Sequence, residues 1–250
     1  MRKKGLKSAF LIIMMIICLA GCIFSAYKIV FWKQSDVENN KIQKILVDDI
    51  TEIEDNSTNE TKETVYEVDF EKLKKQNSDT VAYLKVNNTK INYVVVKAKD
   101  NKYYLTHNFK KKGNAAGWVF ADYHNKFDGT DRNIVVYGHN MRNGSMFGTL
   151  KKTMTKKWYS NQDNQIITFV TEQGNLKYQV FSVYSIPVEE YYINTKFKND
   201  DEFYKFLKTL KKRSIHNFNV TLEKTDKILT LSTCNSGGKN RTVLHAKLVD

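Results

Sequence analysis

Eight short runs of β-branched and aromatic residues set the class of fold open to this chain. They read AYLKV (82–86), INYVVVK (91–97), GWVFAD (117–122), NIVVYG (133–138), QIITFVT (165–171), LKYQVFSVYSI (176–186), KILTLSTC (227–234) and TVLHAKLV (242–249). Such side chains lose rotamer freedom in a helix and pack well on a pleated surface. Eight strands separated by turn signals predict a barrel or a sandwich. Two amphipathic stretches interrupt the series. Phe147, Leu150, Met154 and Trp158 recur at helical spacing over about 146–158, and Phe203, Phe206, Leu207 and Leu210 form a stripe over 200–213. Asp200, Asp201 and Glu202 open the second stretch and Lys211, Lys212 and Arg213 close it, which matches the helix dipole and gives those charges a structural role. A further short helix is read in DFEKLKKQN, from Asp69.

The N-terminus constrains location. Arg2, Lys3, Lys4 and Lys7 precede the uncharged stretch SAFLIIMMIICLAGCIFSAY, and apolar residues continue to Trp32. About twenty apolar residues at 1.5 Å each span a ~30 Å hydrocarbon core. Cations before the span and few after it predict a cytoplasmic start at 1–7, a transmembrane anchor at 8–32 and the remainder of the chain outside the cell. Two other readings compete. A cleavable signal peptide has a shorter apolar run and small residues at its cleavage site, whereas Tyr27, Phe31 and Trp32 stand here. Leu19-Ala20-Gly21-Cys22 resembles a bacterial lipobox, but a chain beginning at Cys22 would continue with Ile-Phe-Ser-Ala-Tyr instead of polar residues. The anchor and lipoprotein readings both put the same domain outside the membrane. The net charge of +13 therefore points to anionic lipid or wall polymer as its counterpart, with no nucleic acid.

Residues 33–69 read as an extracellular helix and stalk. Val37, Ile42, Ile45 and Leu46 give a weak amphipathic pattern, and DDITEIEDNSTNETKETVYEVD is acidic and poor in apolar side chains, as a solvated spacer would be. The folded domain is read as 70–250.

Three cysteines are present, and Cys18 and Cys22 lie in the apolar span. Cys234 is then alone in an exterior domain, where an unpaired thiol is an oxidation liability. It is either a small buried hydrophobe or a reactive thiol. In KILTLSTC the face of Leu229 and Leu231 is the better core candidate. Cys234 shares the opposite, more polar face with Ile228, Thr230 and Ser232, and ends the strand before an Asn-Ser-Gly-Gly turn. A nucleophilic thiol needs a base or cation nearby. His139 follows NIVVYG at another strand-to-loop junction. His107, His124 and His216 read as surface residues, and His245 sits mid-strand. Arg241 follows Cys234 across a short turn, at the start of the last strand. Its guanidinium stays charged and suits an oxyanion.

Thr230-Leu231-Ser232-Thr233-Cys234 resembles the TLxTC motif of sortases, the membrane-anchored transpeptidases of Gram-positive bacteria. Tyr137-Gly138-His139 resembles their histidine motif, and the order His139, Cys234, Arg241 is theirs. The resemblance covers about 70–250 and is closest to class B, through DTVAYLKVNNTKINYVVV, GWVFADYHN and the 200–213 helix. It departs in the short NSGGKN loop after Cys234. It implies a mainly β fold, an eight-stranded barrel with peripheral helices behind one transmembrane helix. It also implies Cys234 as nucleophile, His139 as proton carrier and Arg241 as oxyanion partner. Ser232, Tyr192, Ile193 and Asn125 resemble substrate-groove positions. Sorting-signal-bearing surface proteins and a peptidoglycan amine would be the partners, with no metal or cofactor required.

Overall fold

The computed structural model describes residues 2–55, 63–234 and 239–249. The turn read at 235–238, the middle of the stalk and the side chain of Cys234 lie outside the described residues. All eight runs form strands: β3 (Thr80–Val86), β4 (Asn92–Val96), β5 (Phe120–Ala121), β6 (Asn133–His139), β7 (Ile166–Thr171), β8 (Gly174–Pro187), β9 (Ile228–Cys234) and β10 (Asn240–Leu248). They close into a barrel in the order β10-β8-β7-β3-β4-β5-β6-β9, with β10 pairing back onto β9. Closure removes the free edges that an open sheet would expose. Most neighbours are antiparallel, but β4–β5 and β6–β9 are parallel.

Strand alternation sorts the side chains. Leu229, Leu231, Leu244 and Ala246 enter the barrel core with Val136, Phe169 and Trp118. Ile228 and Val243 face outward, into a second apolar cluster under α4 (Asp200–Arg213), which contributes Phe203, Phe206, Leu207 and Leu210. The outer face of β9 is therefore not open: Thr230 and Ser232 are as buried as the leucines. α4 and the turn before it cover those strands as a second layer, so the more polar face of β9 is buried as well. α4 itself has the expected bounds. The Asn199 side chain accepts from the Glu202 N–H, and three acids and three lysine or arginine residues occupy its first and last turns.

Three expectations change. The stretch 146–158 is not one helix but a 3₁₀ turn (Leu150–Met154) followed by α3 (Lys156–Tyr159). Thr155 adopts an extended conformation between them, and its hydroxyl caps α3. The apolar spacing still serves burial, since Phe147, Leu150 and Trp158 are enclosed. The second change concerns α1, which runs unbroken from Arg2 to Asp48, so the apolar span and the amphipathic segment are one helix. Its docked face is Ser35, Asn39, Ile42 and Leu46, at helical spacing, while Val37 and Ile45 are exposed. Thirdly, the acidic stalk contains a hairpin, β1 (Thr51–Asp55) and β2 (Glu63–Glu67). Tyr66 is its anchor: the ring packs on Tyr83, and Asn175 bonds both its backbone N–H (2.8 Å) and its C=O (3.0 Å). One buried aromatic with paired backbone is enough to order a segment whose composition reads as solvated. The short helix α2 (Phe70–Gln76) follows, capped by Asp69.

Candidate active site

Three neighbouring strands end together at one mouth of the barrel. In the parallel β6–β9 ladder, His139 and Cys234 are direct Cα partners, each the last residue of its strand. Adjacent strands lie about 4.8 Å apart, so this register alone makes the two residues neighbours. On the other flank of β9, Arg241 is the second residue of β10, and its Nη1 donates to the carbonyl of Thr233 at 3.3 Å. The Thr242 N–H donates to Thr233 Oγ1 at 2.9 Å, which stitches the strand ends together beside Cys234. The order β6-β9-β10 thus places a histidine and an arginine on opposite sides of the cysteine's strand.

The approach to His139 is built by a glycine. A Cβ at Gly138 would stand 2.6 Å from the Phe147 ring, so the strand can lie on that ring only without a side chain. His139 is half-buried, and its Nε2 lies 2.8 Å from the Leu105 carbonyl oxygen. A carbonyl only accepts, so Nε2 carries a proton and Nδ1 is the nitrogen left to exchange one. Nδ1 has no partner among the described residues, and Arg241 makes no ion pair among them. A fixed cation, a histidine with one nitrogen tied and the other available, and a cysteine between them can support thiol-based acyl transfer.

The other residues singled out from sequence fall into two groups. Tyr192 and Ser232 are buried together, with Tyr192 Oη 3.0 Å from Ser232 Oγ, and half-buried Ile193 packs against both apolar clusters. They lie two residues below Cys234, where the turn before α4 meets β9. Asn125 is placed differently. Its Nδ2 donates to the Asn133 carbonyl (2.8 Å) and to Asp131 (3.2 Å), and its Oδ1 accepts from the Val135 N–H (2.9 Å). That amide is saturated inside the protein and staples the start of β6.

Among the other histidines, His245 is completely enclosed. Thr230 donates to Asn133 Oδ1 at 2.7 Å, so its oxygen accepts from His245 Nδ1 at 2.9 Å. His245 Nε2 then accepts from Tyr184 Oη at 2.8 Å. Burial pushes the His245 pKa down to about 3, with the Arg213 charge adding to the effect, so the ring is neutral. Sequence reasoning did not find this network, since its members stand on four strands with no spacing to link them. His107 and His124 bond locally, to the Tyr103 carbonyl and Asp122, and His216 bonds the distant Met154 carbonyl.

Comparison with known proteins meets this geometry. Residues 84–249 match the sortase domain. A sortase B of Listeria monocytogenes is 34% identical over 241 residues, covering 94% of each chain. The structure of sortase B from Bacillus anthracis in complex with AAEK1 superimposes with a TM-score of 0.75 at 32% identity, covering 87% of this chain and 99% of that one. A Staphylococcus aureus sortase B–substrate complex gives 0.69 at 34% identity, covering 72% and 84%. The chain belongs to the sortase family, and within it to the class B transpeptidases. Sortases of this class act on surface-protein substrates and wall amines. One described helix, α1, is long and apolar enough to cross a membrane.

Proposed function

We propose that this sortase cleaves a C-terminal sorting signal after a threonine and holds the acyl group as a thioester on Cys234 before passing it to a peptidoglycan amine. The observation that carries the reading is the β6–β9 register, which pairs His139 with Cys234 while Arg241 contacts the residue before the cysteine. Cys234 gives its thiol proton to His139 Nδ1 as Sγ attacks the threonine carbonyl, and Arg241 donates to the oxyanion that forms. Collapse of that intermediate breaks the peptide bond, and His139 protonates the departing amine through Nδ1. The incoming amine then gives its proton to His139 as it attacks the thioester, and His139 passes that proton to the departing sulfur, which restores the thiol. Ser232, Tyr192 and Ile193 form the floor on which the signal peptide rests. Asn125 supports β6 from within instead of touching the peptide.

A Staphylococcus aureus relative solved as a sortase B–substrate complex supports substrate binding by this fold. The cations before the apolar span support a cytoplasmic N-terminus and an extracellular barrel. Protease added to wall-stripped cells should digest the barrel; full protection would reverse the orientation. The chemistry is tested by mixing the enzyme with a labelled sorting peptide, with and without an amine, and reading the products by mass spectrometry. A thioester mapped to Cys234 that resolves to amide only when amine is present is expected. Hydrolysis at the same rate with and without amine would make the enzyme a peptidase instead.

A further inference from the structure

We propose that the first two turns of α1 beyond its apolar span, through Ser35, Asp36 and Asn39, position His139 for the transfer, so that the anchor helix belongs to the catalytic device as well as tethering it. The proposal rests on the reading of His139 as the proton carrier. Two segments of chain hold His139, and α1 grips both.

The first is 103–118, whose Leu105 carbonyl fixes the imidazole. Residues 104–106 are bracketed by Trp118 N–H to Tyr104 O (2.9 Å) and Asn114 N–H to Thr106 O (2.8 Å). The same Asn114 is held by α1. Its Nδ2 donates to the Ser35 carbonyl (3.0 Å), and its Oδ1 accepts from Asn39 Nδ2 (3.1 Å). Asn39 also donates to the Gly117 carbonyl (2.9 Å), and Ser35 Oγ accepts from the Ala115 N–H (3.2 Å). Gly117 has a left-handed φ of +57°, and a Cβ there would stand 2.3 Å from the Tyr104 carbonyl, so this segment is packed backbone to backbone.

The second is the excursion that follows His139. The N–H groups of Met141 (3.1 Å) and Phe147 (3.0 Å) both donate to the His139 carbonyl, which closes the excursion onto the histidine. Within it, Ser145 Oγ lies 3.0 Å from Asp36 Oδ1 of α1 and 2.9 Å from Asn143 Oδ1, so its one proton is shared between an acceptor on the helix and one in the excursion itself. Ser35, Asn39, Asn114 and Ser145 are all buried, so water does not readily replace these bonds. Asn39 stands about 10 Å along the helix from Trp32, close to where the apolar span ends. A shift of the helix against the barrel would reach the imidazole along two short routes. Misplacement of a reacting group by about 1 Å costs up to about 10²-fold in rate.

The test uses the full chain in lipid nanodiscs with a fluorogenic sorting peptide and an amine, measuring kcat and KM separately and checking the fold by near-ultraviolet circular dichroism. Asn39→Ala and Asp36→Ala should each lower kcat about tenfold with KM little changed. Asp36→Asn keeps an acceptor for the Ser145 hydroxyl and should regain most of the loss. Lys44→Ala, on the exposed face of α1, is the unperturbed control. Should Asn39→Ala fail to fold, the Asp36→Ala and Asp36→Asn pair decides. Folded Asn39→Ala and Asp36→Ala enzymes with wild-type kcat would overturn the proposal. His139→Ala tests the underlying reading separately: undiminished turnover there would remove His139 as proton carrier, whatever the α1 variants do.

Discussion

The middle and the end of the same strand layer treat a histidine in opposite ways. Midway along β10, His245 has both nitrogens bonded and no contact with solvent, and burial holds it neutral far below its ordinary titration range. At the tip of β6, His139 is half-buried, with one nitrogen tied to a backbone carbonyl and the other available. The residue type is identical, and position along the strand separates structure from chemistry. The middle of the layer lies under α4, where every polar atom must find an internal partner. The end opens at the mouth, where a polar atom can be left for substrate.

Four expectations would break or sharpen that contrast. The largest effects belong to the strand ends. Cys234→Ala should abolish acyl transfer, and His139→Ala should cost about 10²–10⁴ in kcat/KM, the usual worth of a positioned proton carrier. Normal peptide turnover by the cysteine variant would end the catalytic reading of this mouth. Next is Arg241→Ala, expected to slow turnover about 10²–10³-fold while iodoacetamide still alkylates Cys234. Arg241→Lys should regain little, because the charge remains but the planar fork is lost.

His245→Ala should show the reverse pattern. It leaves Thr230 and Tyr184 without their buried partner, and about 3 kcal/mol of stability should go, read by urea unfolding. Turnover per folded molecule should stay close to wild type; a collapse of kcat in the folded fraction would tie the two histidines together. The last expectation concerns pH. The unfolded chain binds a proton on His245 near 6.5, whereas the folded chain refuses it until about 3. Stability contributed by keeping the ring neutral is therefore lost as the pH falls through that window. His245→Gln cannot charge, so its unfolding free energy should fall less steeply between those pH values. Parallel curves for the two proteins would contradict the assignment.

What the sequence made legible follows from where physical signals are local. The eight strands could be read because each is a short run of β-branched and aromatic residues ended by turn residues. α4 could be read to its ends because cap and charges agree with its apolar stripe. Cys234, His139 and Arg241 could be singled out as candidates because each sits at a strand-to-loop junction. The docking of α1 was not, since its key contacts come from Ser35 and Asn39, polar residues that an apolar periodicity passes over. The Leu105 carbonyl that holds His139 is backbone and leaves no mark in residue type. Asn125 shows the converse: a polar residue after a strand is as well suited to bonding main chain as to meeting a substrate, and only its neighbours decide which.

The parallel junction of β6 with β9 also bears on how the protein comes into being. The strands that it joins are far apart in the chain, with β7, β8 and α4 between them. Pairings across such separations carry a large loop-closure cost and form late. Until β9 docks, Cys234 has no His139 beside it, and on the proposed mechanism a barrel still emerging from synthesis lacks its proton carrier. On that mechanism, the pairing that joins the two distant strands is also the one that assembles the site.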